Sequence, residues 1–285
     1  MSEPTLIRQR FLEMMQLPDA EIDLARSALL VAAENDTTLD VDAEMARLDG
    51  WAQQLSSRID PSWDNLQRLA RLRTFMYEEL GFKGDVRGYY SPANSLLHSV
   101  MTRRLGIPLT LSILFMEIGW RIGVPFEGVG FPGHFLVRLT GEPDDLLLDP
   151  YDHGASVHED DCKRMIELTT GGTVPFEPSM VRSLGKKDMI ARLLFNLKVA
   201  CLKANDDFGA LSAVERLLLL HPNDAPELRD HGLLLYRLDR YRDARTSLEG
   251  YLRARHDALD RETIEQHLAA LDIMLAGPPR PSAEP

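Results

Sequence analysis

The chain is short of cysteine, of basic charge and of long apolar runs. Only Cys162 and Cys201 occur among 285 residues. Two thiols cannot staple a disulfide scaffold, and so sparing a use fits a reducing compartment. Lys and Arg total 32 against 44 Asp and Glu, for a net charge of −12. Nucleic acid is therefore not an expected partner, because its binding runs on basic residues that neutralise phosphates. No apolar stretch approaches the ~18 residues that would cross a bilayer. Leu109 to Ile118 is too short, and Glu117 interrupts it. The opening residues, MSEPTLIRQRFLEMM, lack an apolar core followed by a small-residue cleavage site. No export signal is read there, and a cytoplasmic location is expected.

What is present is the composition of a soluble globular protein, 44% hydrophobic and 27% charged. The length suits one large domain or two ordinary ones. The first eighty residues read helical. Val41, Met45, Leu48, Ala52 and Leu55 keep helical spacing, with Asp42 as the expected N-cap. Pro61-Ser62 is expected to open a further helix, with Leu66, Ala70, Tyr77 and Leu80 on one face and Gly81 at its end. GDVRGYYSP reads as a loop, after which Asn94 is placed to cap a helix from Ser95 to Leu105. Leu109 to Ile122 is apolar all round and should lie in a core. Phe126 to Gly130 is short and extended. His134 to Leu139 alternates as a strand, Glu142 to Asp145 reads as a turn, and Leu146 to Leu148 as the return strand before Asp149-Pro150.

From Asp188 the chain is helical again and repeats itself. Asn196 onward lies over Asp230 onward, so that Leu202 meets Tyr236, Ala210 meets Ala244 and Glu215 meets Glu249. The offset is that of the tetratricopeptide unit, about 34 residues. Glu262 to Leu275 is expected to cover the last apolar face. The Pro-rich end, GPPRPSAEP, is expected to be disordered.

NSLLHSVMTRRLGIPLTLS, GVPFEGVG, PGHFLVRL and LLLDP resemble the core of the transglutaminase-like superfamily, over roughly Asp64 to His256. The resemblance is nearest to a bacterial branch, the invasion-regulator SirB type, which joins such a core to C-terminal tetratricopeptide repeats. It implies an α+β fold: a transglutaminase-like (papain-like) core with a small antiparallel sheet, preceded by helices and followed by a helical repeat domain. The expected divisions are 1–60 for the N-terminal helices, 61–185 for the core, 188–276 for the repeats and 277–285 for the tail. It also implies that His134 stands at the superfamily's catalytic His and Asp149 at its catalytic Asp.

The superfamily's nucleophile is a Cys that opens the buried helix. Counting back from Gly123 lands on Pro108 to Ser112, which holds no Cys; Thr110 and Ser112 are the hydroxyls there. A hydroxyl depends wholly on its base for activation. The expected function is therefore a catalytically degenerate module that binds a protein or peptide through its repeats and residual cleft. The alternative is an amide or ester hydrolase, or an acyl transferase, in which Thr110 attacks and His134-Asp149 serves as base. Asn94, Ser112 and Glu117 are cleft or rim candidates, and Arg121, one turn on, is the expected partner of Glu117. HGASVHEDDC matches no compact zinc spacing, so no metal or other cofactor is expected. A weaker metal-hydrolase reading would use His134, Asp149, His153 and His158.

Overall fold

The computed structural model describes residues 3–141 and 145–276. The chain divides into two compact units, Met1–Asn196 and Leu197–Pro285. The expected turn at Glu142–Asp145, apart from Asp145, and the tail from Gly277 lie outside the described residues.

The first unit opens with α1 (Glu3–Gln16), α2 (Leu24–Asn35), α3 (Val41–Ser56) and α4 (Asn65–Arg73). The N-cap of α3 is Asp40, two residues before the expected Asp42. Its carboxylate accepts from both Asp42 N and Ala43 N. Likewise α4 starts after Asp64, not at Pro61-Ser62. Asp64 and Gln67 satisfy each other's backbone N–H in a capping box, which outcompetes the proline signal. Its buried face is Leu69 and Leu72, continued by Phe75 and Met76, while Leu66 is 48% exposed. The expected face thus fails at Leu66 and Ala70, both exposed in the regular part of α4, and a π-helical turn over Thr74–Glu79 follows it.

After β1 (Lys83–Gly84) come α5 (Leu97–Arg103), β2 (Leu105–Gly106) and α6 (Pro108–Arg121); β1 and β2 pair in parallel. Helix α5 is shorter than expected and has no side-chain cap. Asn94 is not its cap but a buried loop residue. Helix α6 is buried from Pro108 to Gly119, as an all-round apolar helix must be.

A five-stranded antiparallel sheet follows, in the order β6-β5-β4-β3-β7. Its members are β3 (Phe126–Phe131), β4 (His134–Leu139), β5 (Leu146–Asp149), β6 (Ala155–Val157) and β7 (Ser183–Leu184), with α7 (Glu159–Thr170) after β6. The β3–β4 hairpin turns on Pro132-Gly133 and pairs Phe131 with His134. Gly133 has φ +69°, so glycine is required at that turn. Leu136 packs with Val129, Phe131, Val157, Cys162 and Ile166 into one cluster under α7. Phe126 lies so close to Gly119 of α6 that any Cβ there would meet its ring at 2.3 Å.

Helix α8 (Lys186–Lys203) leads into α9 (Asp207–Leu220), α10 (Ala225–Arg237), α11 (Tyr241–Ala254) and α12 (Arg261–Ala276). Helices α9 and α11 are offset by 34 residues at both ends. The left-handed residues before them, Asn205 and Asp239, keep the same offset. Ala210 and Ala244 are both wholly buried. Gly232 of α10 sits against Leu248 of α11, where a Cβ would come within 2.6 Å.

Candidate functional site

Strand β4 opens with His134 and β5 closes with Asp149, so the register of the sheet brings the two ends together. Nε2 of His134 lies 2.8 Å from Oδ2 of Asp149. The other carboxylate oxygen accepts from Tyr151 N at 2.9 Å. Asp149 is 5% exposed, and the His134 side chain 18%. In the neutral ring, a carboxylate facing Nε2 selects the tautomer with its proton there and leaves Nδ1 as the accepting nitrogen. Among the described residues, His134 has no second side-chain hydrogen bond. The turn behind it is closed by Arg192, whose guanidinium donates to the carbonyls of Phe131 and His134.

One aromatic ring contacts the imidazole, and two more continue from it in a chain. Tyr151 meets His134 edge-on at 6.0 Å, and Tyr89 meets Tyr151 at 6.4 Å. Tyr90, more exposed, stands edge-on to Tyr89 at 5.2 Å. Tyr151 lies directly on the backbone of Gly84, where a Cβ would intrude to 2.4 Å. The hydroxyls of Tyr89 and Tyr151 bond to no described residue. Burial pushes both phenols above their ordinary pKa, so each is a hydrogen-bond donor at neutral pH.

The loop that presents Tyr89 is wrapped around Asn94. The Asn94 carboxamide donates to Asp85 Oδ2 at 3.1 Å and to Gly88 O at 2.7 Å. It accepts from Arg103 at 2.9 Å, and Arg103 also pairs with Asp85. The Gly88 N–H bonded to Asp85 holds that carboxyl below the usual range. Deeper in, Tyr77 donates its hydroxyl to Pro150 O at 2.9 Å and fixes the backbone just past Asp149.

The family model of the transglutaminase-like superfamily matches residues 42–195, more than half of the chain. The chain belongs to this superfamily. A tetratricopeptide-repeat model matches residues 197–280. A UPF0162 protein of Xylella fastidiosa is 30% identical over 89% of this chain and 91% of its own length. A UPF0162 protein of Pseudomonas aeruginosa is 28% identical over 87% of this chain and 90% of its own. Mouse F-box only protein 21 is 39% identical over 87 residues, which are 30% of this chain and 14% of that protein.

Members of the superfamily that react through sulfur need a thiol facing the imidazole. Neither cysteine here bonds to His134. Cys162 is packed in the cluster under α7, and burial raises its pKa. Cys201 belongs to α8, where burial with Asp206 alongside pushes it up to about 12. A thiol so poised is not a nucleophile at neutral pH.

The structure places the other candidates as follows. Thr110 is wholly buried; its hydroxyl donates to Asn94 O at 2.9 Å and accepts from Ile107 N at 3.1 Å, bracing the start of α6. Ser112 is wholly buried, and its hydroxyl has no partner among the described residues. Glu117 pairs with Arg121 and accepts from Ala25 N at 2.8 Å, tying α6 to α2. His153 stacks edge-on against Tyr77, while His158 precedes α7 and donates its backbone N–H to Asp161. Among the described residues no three His, Cys, Asp or Glu side chains are gathered as a metal site would need. The tyrosines, Asp85, Arg103 and Arg192 were missed by sequence reasoning. The one available signal was the Gly-Tyr-Tyr of the loop, two large rings where turn residues were expected.

Proposed function

We propose that this protein is a catalytically silent transglutaminase-like module that holds a peptide segment in the cleft of His134 without cleaving it. Its repeat unit would provide a second protein-binding surface. The observation that supports this is the imidazole itself. Its Asp149 side is fully bonded, while Nδ1 meets no thiol or hydroxyl of the described residues. Two phenol donors and one nitrogen acceptor around a half-buried ring match an amide, whose C=O accepts and whose N–H donates. Nothing in that set attacks a carbonyl carbon. Thr110 spends its hydroxyl on Ile107 and Asn94, which weighs against the hydroxyl-nucleophile reading. The finer kinship, to SirB-type invasion regulators, rests on the segments around Asn94–Ser112 and Pro132–Arg138.

The deciding experiment is a turnover assay on amide, thioester and activated ester substrates, with and without a primary amine. Wild-type protein should match His134→Ala and Thr110→Val, at the buffer rate. Turnover by the wild type that His134→Ala removes would sink the silent-cleft reading. Turnover lost in Thr110→Val as well, with the fold intact, would establish the hydroxyl enzyme.

A further inference from the structure

Beside His134 stands a cation that no acid of the described residues neutralises. Arg192 of α8 reaches the β3–β4 hairpin and spends its Nη2 on the carbonyls of Phe131 and His134. Clamping the turn takes that nitrogen alone. The N–H groups on Nε and Nη1 bond to no described residue, and among the described residues no carboxylate pairs with the guanidinium. The side chain is partly buried, and the guanidinium carbon lies 5.6 Å from the centroid of the Phe135 ring. Burial lowers its pKa, and the influence opposing burial comes from Tyr89, not from an acid. Arg103 and Arg121 are different, since Asp85 pairs with the first and Glu117 and Asp49 with the second. A cation withdrawn from water without a counter-ion is costly until an anion joins it.

The neighbouring groups say which anion. Burial raises the Tyr89 phenol and the Arg192 charge draws it back, so ring and cation share one neighbourhood. From Tyr89 the rings lead through Tyr151 to the imidazole, at 6.4 and 6.0 Å. Neither phenol hydroxyl bonds to a described residue. Donors therefore outnumber acceptors here: both phenols and the spare N–H groups of Arg192 stand against Nδ1 of His134. The carbonyl of an internal peptide bond is uncharged and accepts too few bonds for that set. A carboxylate brings two oxygens with about four lone-pair sites, and the charge that Arg192 lacks. The single acceptor calls for one N–H beside the carboxylate, and the last residue of a polypeptide carries both. An acidic residue in mid-chain brings the next amide N–H as well, for which these groups offer no second acceptor.

We infer that the cleft of His134 binds the free C-terminal end of a polypeptide. Arg192 and the hydroxyls of Tyr89 and Tyr151 would hold the carboxylate, and Nδ1 of His134 would accept the last N–H. The inference rests on the peptide-holding reading of the cleft and names the part of the peptide that enters it.

The probes are acetyl-glycyl-phenylalanine with a free carboxylate, its carboxamide, and acetyl-aspartyl-glycinamide. Each is titrated into the full chain carrying nitrogen-15 histidine, and the readout is the His134 ring resonance, assigned with His134→Ala. The free acid should shift Nδ1 and bind at least tenfold tighter than the carboxamide. Arg192→Gln can still donate to the turn carbonyls and should bring the acid down to the level of the carboxamide, with circular dichroism and Tm reporting the fold. Tyr89→Phe combined with Tyr151→Phe leaves the turn clamp alone and should weaken the acid about tenfold, which carries the test if Arg192→Gln unfolds. Equal affinity for acid and carboxamide would refute the inference and leave the peptide cleft standing. Undiminished binding of the acid by the folded variants would refute it too. Acetyl-aspartyl-glycinamide matching the acid would give the cation to an acidic side chain and refute the chain end. If no probe moves the His134 ring at millimolar concentration, the inference and the cleft reading fall together.

Discussion

At Asn94 one buried carboxamide reaches Asp85, Gly88 and Arg103 and so fixes the loop that carries Tyr89. Asn94→Leu keeps the volume but strips one hydrogen bond from each of those partners, while Asp85 keeps Gly88 N and Arg103, and Gly88 O keeps Ser91 N. A net hydrogen bond is worth ~0.5–1.5 kcal/mol, so the three together should cost on the order of 3 kcal/mol, read as a lowered Tm. Asp85 gives the same network a pH signature. Its pKa is lowered, first by the Gly88 N–H, so the ionised form belongs to the folded state. That contribution is complete above the ordinary carboxylate pKa and fades as pH falls through the lowered folded value. Urea midpoints of Asp85→Asn should therefore be flatter than those of the wild type over that acid range. The thiols supply a third residue-scale prediction. Both are buried with raised pKa values, so a disulfide reagent should label neither in the native protein and both in urea.

Among elements, those whose signal is local were legible in the sequence. Strand β4 was read to its ends, because alternation begins at the Pro-Gly turn and the glycine's left-handed backbone marks the boundary. His134 and Asp149 are implied together by the resemblance to the superfamily, and the pairing of β4 with β5 sets their side chains 2.8 Å apart. The 34-residue repeat was likewise visible, since each helix recurs with its small residues. The role of Asn94 was not. A cap and a buried loop anchor look alike along the chain, and what separates them is Asp85 nine residues before and Arg103 nine after. The tyrosine frame was illegible for the same reason, because Tyr89 and Tyr151 meet only when β1 and the end of β5 are brought together. Two glycines of the repeat unit test this account of the elements. Gly232→Ala must push Leu248 and approach the Ala244 carbonyl, and should cost ~1–3 kcal/mol by overpacking. Gly250→Ala sets its Cβ at ordinary contact distance from Leu228, 3.7 Å, inside a helix and should instead raise stability by ~0.5–1 kcal/mol. Thermal denaturation distinguishes the opposite signs.

At the scale of the first unit, Glu117 decides how the N-terminal helices hold the core. From α6 it accepts the Ala25 N–H of α2 and pairs with Arg121, which in turn bonds Asp49 of α3 at 2.7 Å. Removing a carboxylate from water is costly even when it is paired, and here burial outweighs Arg121 and lifts the pKa. The folded state therefore keeps the proton to a higher pH than the unfolded chain does. Between the unfolded and folded pKa values the native form binds more protons, so stability falls as pH rises across that window and is level beyond it. Glu117→Gln preserves an acceptor for Ala25 and mimics the protonated acid, while Arg121 keeps Asp49. Its urea midpoint should lack the decline, and the wild type should lose ground to it as pH climbs from the ordinary glutamate range. Glu117→Leu, which orphans the Ala25 N–H as well, should be the least stable of the three at every pH. A wild type that gained on Glu117→Gln with rising pH would mean the ionised pair with Arg121 holds α2 and α3 to α6, and burial does not dominate.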